Sequence, residues 1–289
     1  MRTVPARARL AILLGLAATL RLLWLLAVPN AQVADARWYY ARAVAMTAGE
    51  GYTIDGVTTA FWPVGYPAFL GGLFALFGTS PWVGESANVV LGLLAIMLAY
   101  LLALKLFNRP AVARYTLLLL AFYPASIAHT SLLLSELLFV PLMLLGVLLL
   151  LPQQLPPALR LLRLTAAGAT LGLATLTRPQ AVLIPVAVYV ALVFQRHVAA
   201  PRGARLAGLA GSCLVVYLAL ALTLIPWTAR NLQVFGALVF VSTNGGFNLY
   251  VGNGSFATGT NLAQPVIDAQ IAPLAATASG EADADRLLR

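Results

Sequence analysis

Charge is scarce in this chain. Only 9% of its 289 residues are Asp, Glu, Lys or Arg, where a soluble globular domain carries about 25%. That shortage excludes an ordinary solvated surface and points to a protein that faces lipid. Cysteine is nearly absent: Cys213 stands alone inside an apolar segment, which excludes a disulfide framework and a cysteine-built metal site. Histidine occurs only at 129 and 197, and no spacing of His, Asp and Glu marks a metal site. The acids number nine against 18 basic residues. The resulting excess suggests anionic partners, but arginines scattered between apolar runs do not build a nucleic-acid surface. They are better read as topology signals.

What the chain has in abundance is long apolar runs. A membrane helix needs about 20 such residues, and runs of this kind occur at 10–28, 82–107, 115–132, 134–151 and 206–227. The first follows a basic N-terminus without a small-residue cleavage site, which reads as a retained anchor. The stretch 164–194 is too long for one untilted helix and is interrupted by "TRPQ". Arg160 and Arg163 precede it, and Arg196, Arg202 and Arg205 follow. A hairpin with Arg178 at its turn puts both basic clusters inside. The expected fold is therefore an all-α polytopic helix bundle of about seven membrane helices, with the N-terminus cytoplasmic and a transmembrane domain over 1–232. Residues 233–289 are expected to be an outer-face segment, the start of a longer C-terminal region. In this topology all nine acids fall at the outer side, and Trp24, Trp38, Trp62, Trp82 and Trp227 cluster near the outer interface, where amphipathic rings are favoured.

The first outer loop, 29–81, is long and reads as two surface helices. One runs from Asp35 to Ala48, with the acid near the positive end of the helix dipole. After the break "GEGYTIDG" comes a short apolar helix from about Pro67, too short to span and suited to the interface.

These residues carry a resemblance. "DARWYYARAVAM", "WPVGYPAFLG", "SELLF" at 135–139, "GLATLTRPQ" at 172–180, "PWTARNLQVFG" at 226–236 and "STNGGFNLYVGN" at 242–253 occur in an order similar to that of GT-C superfamily glycosyltransferases. The nearest group is the bacterial protein O-mannosyltransferases and the aminoarabinose transferase of lipid A. The resemblance implies an inner-membrane enzyme that takes a sugar from a polyprenyl-phosphate donor. It passes the sugar, with inversion, to a lipid, glycan or protein acceptor at the outer face, among membrane lipids and without nucleic acid.

Single displacement needs a base on one side of the anomeric carbon and a cation beside the departing phosphate. The resemblance places the base at Asp35 and a second catalytic acid at Glu136; the plainer readings are a helix cap and an interfacial acid. Arg178 suits bidentate phosphate recognition, with Arg37 and Arg42 as further donor-phosphate candidates beside lipid-contact roles. Arg21 reads as a snorkelling side chain, and Arg230 carries no definite role. Asn244, Asn248, Tyr250 and Asn253 could bind sugar or acceptor, or serve only turn geometry. No cofactor is required by the sequence; a divalent ion held by Asp35 and Glu136 is an open alternative. A transporter or lipid-handling protein, or a noncatalytic assembly subunit, would also explain the spans and intramembrane charges.

Overall fold

A computed structural model describes residues 6–28, 31–194, 202–254, 256–257, 259 and 264–289. Arg196, His197 and Ser255 lie outside them. The described chain is mostly helical, with almost no strand. Helix α1 (Ala6–Ala27) leads into the first loop, which holds α2 (Ala34–Thr47), a two-residue hairpin of β1 (Thr53–Ile54) and β2 (Val57–Thr58), and α3 (Gly65–Phe77). Then come α4 (Pro81–Phe107), α5 (Pro110–Phe122), α6 (Pro124–Ala128), α7 (Ser135–Leu150), α8 (Pro157–Thr177), α9 (Ile184–Phe194) and α10 (Arg202–Phe235). Three short helices close the chain: α11 (Gly245–Asn253), α12 (Gln264–Ala275) and α13 (Glu281–Leu287).

Four helices, α1, α4, α8 and α10, are long and apolar enough to cross a membrane. The pair α5 and α6, bent by 53°, makes a fifth if taken as one span. Helix α7 and the segment through α9 are apolar but shorter. Helix α10 continues to Phe235, so the boundary expected at 232 falls inside its last turn. The hairpin of β1 and β2 occupies the expected break between the loop helices, with Thr53 opposite Thr58.

Packing explains how these helices associate without water to drive them together. In lipid, close approach of small residues replaces the hydrophobic effect between helices. Gly168 and Gly172 on α8 face α10: a Cβ at Gly168 would come within 2.3 Å of the Val216 carbonyl, and one at Gly172 within 2.6 Å of Thr223. Leu171, between them, fits over Gly146 of α7. Large apolar side chains such as Leu119, Leu214 and Leu222 point outward, as on a lipid-facing surface.

Proline sets the breaks. Arg178 is extended at φ −145° and ψ 111°, because a residue preceding proline is disfavoured in the helical region; Pro179 thus ends α8. Pro124 has no N–H for the carbonyl of Leu120 four residues back. Arg21 supplies the missing donors. Its guanidinium is fully buried and donates to the carbonyls of Leu120 and Ala121, each at 3.3 Å, and to Ser126 Oγ at 2.9 Å. Gly92 leaves it room, with Arg21 Nε 3.2 Å from where a Cβ would stand. The expected snorkelling role is thereby corrected: Arg21 reaches inward because the broken helix offers acceptors that no water can serve.

Candidate functional site

The first loop folds onto the ends of α7 and α8. Ala36, Tyr39 and Ala43 of α2 pack against Tyr66, Leu70 and Phe74 of α3 and against Leu133. Gly65 allows the closest approach: a Cβ there would lie 2.6 Å from both the amide and the hydroxyl of Thr177, the residue before Arg178. Trp38 and Trp62 pack edge to face with one another and with Tyr39, and Tyr52 meets Trp227 at 5.3 Å. These three tryptophans, expected as interfacial anchors, hold the loop together. Arg230 pins the same loop, donating to the carbonyls of Thr59 at 2.9 Å and Tyr52 at 3.2 Å while stacking over Trp227.

Asp35 occupies the first turn of α2. Val33 holds the cap position without a side-chain cap bond, so Asp35 is not the cap that the plainer reading supposed. Ala34 beside it has φ 48°, a left-handed conformation that costs a residue with a Cβ about 1 to 3 kcal/mol. The Asp35 side chain reaches solvent, yet neighbouring protein removes part of its hydration. Burial, and secondly the Glu136 carboxylate, push its pKa above the ordinary value, while Arg178 pulls it down.

Glu136 and Arg178 form an ion pair. Behind them Tyr39 Oη donates to Ser135 Oγ at 3.4 Å, and that hydroxyl donates to Glu136 at 3.3 Å. Burial, and after it the neighbouring acids Asp35 and Glu136, raise the Tyr39 pKa against the opposing effects of Ser135 and Arg178. The phenol therefore stays protonated as the donor at the head of this line. Arg178 keeps unused donors, since a guanidinium carries five and the pair with Glu136 engages one nitrogen.

Arg178 also lines a cavity of about 1230 Å³. Its lining is mixed, polar and apolar. Ser135, Thr175, Gln180, Asn244 and Asn248 contribute polar groups to its lining, as Arg178 does, and Leu220, Leu224 and Ile225 of α10 contribute apolar ones. Asn244 is buried and accepts from Ser242 Oγ at 2.9 Å. Asn248 follows one turn later on the same face of α11. Helix α13 closes part of the cavity, and two of its acids hold it there. Glu281 accepts from Thr59 Oγ1 at 2.7 Å, the Ala60 amide at 2.8 Å and Thr243 Oγ1 at 2.5 Å. Asp285 accepts from the Gly246 amide at 2.6 Å.

The structure thus brings Asp35, Glu136 and Arg178 to one place, with Asn244 and Asn248 in the adjoining cavity. Of the site residues read from the sequence, Arg178, Asn244 and Asn248 line the cavity, while Asp35, Glu136, Arg37, Arg42, Tyr250 and Asn253 do not; Asp35 and Glu136 are tied to it through their electrostatic contact with Arg178. Arg42 lies 5.7 Å from the Trp38 ring centre, Tyr250 packs on Phe256, and Asn253 Nδ2 donates to the Leu249 carbonyl. Sequence reasoning missed Tyr39, Trp62, Glu281 and Asp285. The aromatics were legible as a cluster, but the two acids carry no local signal, because their partners lie 38 to 222 residues away. Among the described residues no three His, Cys, Asp or Glu side chains gather as metal ligands. A divalent ion would have Asp35 and Glu136 as its protein ligands, and Glu136 is paired with Arg178; no step here is routed through a metal.

The sequence profile of one family, the dolichyl-phosphate-mannose-protein mannosyltransferases, matches residues 62–227, more than half of the chain. The chain belongs to that family. It is therefore a multi-pass membrane glycosyltransferase of GT-C type that uses a polyprenyl-phosphate sugar. The matched stretch of this mannosyltransferase-family protein contains Glu136 and Arg178, and it begins after Asp35. No curated protein and no solved structure matches the chain.

Proposed function

We propose that this protein transfers a sugar, with inversion, from a polyprenyl phosphate to a hydroxyl of a lipid, glycan or protein acceptor at the outer face of the inner membrane. One observation carries this reading: a cavity lined both by Arg178 with other polar groups and by apolar residues of α10 fits an amphiphile with a phosphate head, and Asp35, whose pKa is raised, lies within electrostatic reach of that Arg178. Asp35 takes the proton of the acceptor hydroxyl as its oxygen bonds the anomeric carbon. The bond from that carbon to the phosphate oxygen breaks on the opposite face, and its electron pair leaves with the phosphate. Arg178 stabilises the negative charge that develops there. Glu136 orients Arg178, while Asn244 and Asn248 meet sugar or acceptor. With the N-terminus inside and α7 and α9 counted among seven crossings, this end of the bundle faces outward, a reading that the basic residues flanking α8 and α9 support.

The test is reconstitution of the purified protein with a polyprenyl-phosphate sugar and candidate acceptors, read by mass spectrometry of the acceptor. Sugar-modified acceptor is expected. Lipid that crosses the bilayer with its sugar uncleaved would identify a transporter instead. A reporter fused after Arg178 should read outside and one after Arg202 inside; an inside signal at Arg178 removes it from the proposed site.

A further inference from the structure

A second cavity lies at the opposite end of the bundle, where the end of α7 and the start of α8 meet α9 and α10. Its volume is about 250 Å³. Arg160 and Arg178 are separated by 18 positions, all but the last within α8, or about 27 Å at 1.5 Å per residue, close to the thickness of a bilayer core. The cavity is therefore a different place from the transferase site, in the other leaflet.

Three features converge on it. Arg160 and Arg163 both line it, and among the described residues neither pairs with a carboxylate. Each uses one nitrogen internally: Arg160 Nη2 donates to Ser212 Oγ at 2.8 Å, and Arg163 Nη2 to the Leu148 carbonyl at 2.7 Å. The remaining donors of the two forks are left for another acceptor. The third feature is Tyr189, which lines the cavity and is 7% exposed, with its hydroxyl buried and without a hydrogen-bond partner. A buried hydroxyl left unmatched is costly, so its persistence beside two unneutralised cations points to an acceptor that arrives from outside the chain.

From this geometry we propose that the cavity binds the phosphate of an anionic phospholipid from the adjacent leaflet, with Arg160 and Arg163 as charge partners and the Tyr189 hydroxyl donating to a phosphate oxygen. The space is smaller than the roughly 300 to 1000 Å³ of pockets that enclose whole small molecules. It accommodates a headgroup whose acyl chains remain in the bilayer, against apolar neighbours such as Leu155 and Leu192.

The test uses the full chain in nanodiscs and in neutral detergent. Native mass spectrometry should find phosphatidylglycerol retained over phosphatidylcholine by roughly tenfold, the scale of a charge-assisted contact. Arg160→Gln with Arg163→Gln should abolish that preference. Tyr189→Phe removes only a hydroxyl without an internal partner, so it should fold as the parent does and lower the retention of phosphatidylglycerol several-fold. Equal retention of both lipids by the parent, or unchanged retention of phosphatidylglycerol in Tyr189→Phe, overturns the assignment. So does inorganic phosphate that stabilises the protein in pure phosphatidylcholine as well as phosphatidylglycerol does, since the site would then take a free anion.

Discussion

Arg21 and Arg178 both set a guanidinium among apolar helices, and their surroundings differ in how many of its donors they occupy. Arg21 is fully buried and bonded to three carbonyls and a serine hydroxyl. Arg178 keeps about a third of its side chain exposed and meets one carboxylate, which is itself half exposed. A buried charge surrounded by internal acceptors is committed to the fold. One that opens onto a cavity with donors to spare is available to a ligand. The same contrast separates the acids: Glu281 is committed to three donors of the protein, whereas Asp35 faces charged groups across partly open space.

The largest effect that would break this contrast is expected at Arg21. Arg21→Leu leaves the Leu120 and Ala121 carbonyls without their donors in a dry environment, a loss of about 4 kcal/mol at roughly 2 kcal/mol each. A denaturation series in detergent should show it as a lower midpoint and yield, with transfer per folded molecule retained. An unchanged midpoint would mean that the clamp is incidental.

Asp35→Asn should do the reverse, cutting transfer by roughly 100-fold or more while insertion survives. Its stability effect has a definite sign. Because the folded pKa is raised, Asp35 favours the fold below its unfolded pKa, and that contribution is lost as pH rises through the folded value. At neutral pH the amide should therefore stabilise slightly. Transfer by the parent should fall as pH drops through the raised pKa, above the ordinary carboxylate value of about 4. An Asp35→Asn protein that turns over at the parental rate would return Asp35 to the role of a dipole-matched surface acid.

Arg178→Ala should weaken engagement of the donor phosphate by about 1.5 to 3 kcal/mol, seen mainly as a raised KM for donor. Parental donor affinity would detach the cavity from phosphate recognition. The smallest effect is expected for Glu136→Gln. An exposed ion pair contributes about 0 to 1 kcal/mol to stability, so unfolding should barely change. Removing the negative charge should instead move the acid limb of the pH profile to lower pH, since Glu136 is one of the two influences that raise the Asp35 pKa. A limb that stays in place would show that Asp35 and Glu136 do not sense each other during turnover.

Much of the architecture was written along the chain. Apolar runs marked the long spans because a bilayer imposes a length. Pro179 marked the end of α8 and the extended Arg178 through a local steric rule, and the loop helices around "DARWYYARAVAM" and "GYPAFLGG" followed from their composition and the break between them. Asp35, Glu136 and Arg178 could be chosen from residue type, position and resemblance, but that they meet could not, since they lie 42 to 143 positions apart.

Other assignments changed for the same reason. Arg37, Arg42, Tyr250 and Asn253 have suitable chemistry, but like Asp35 and Glu136 they do not line the cavity, because which face of a short helix turns inward depends on what it packs against. Arg21 looked like a side chain reaching for headgroups, since its acceptors are carbonyls about 100 residues away that become free only where α5 breaks. Glu281 and Asp285 looked like surface acids for want of visible partners. The sequence by itself determined the membrane spans, their breaks and the supply of reactive side chains, because hydropathy and backbone sterics act over a few neighbouring residues. Only the tertiary structure decided which charges are neutralised inside the fold and which face a cavity, because hydrogen bonding and Coulomb interactions depend on distance in space rather than along the chain.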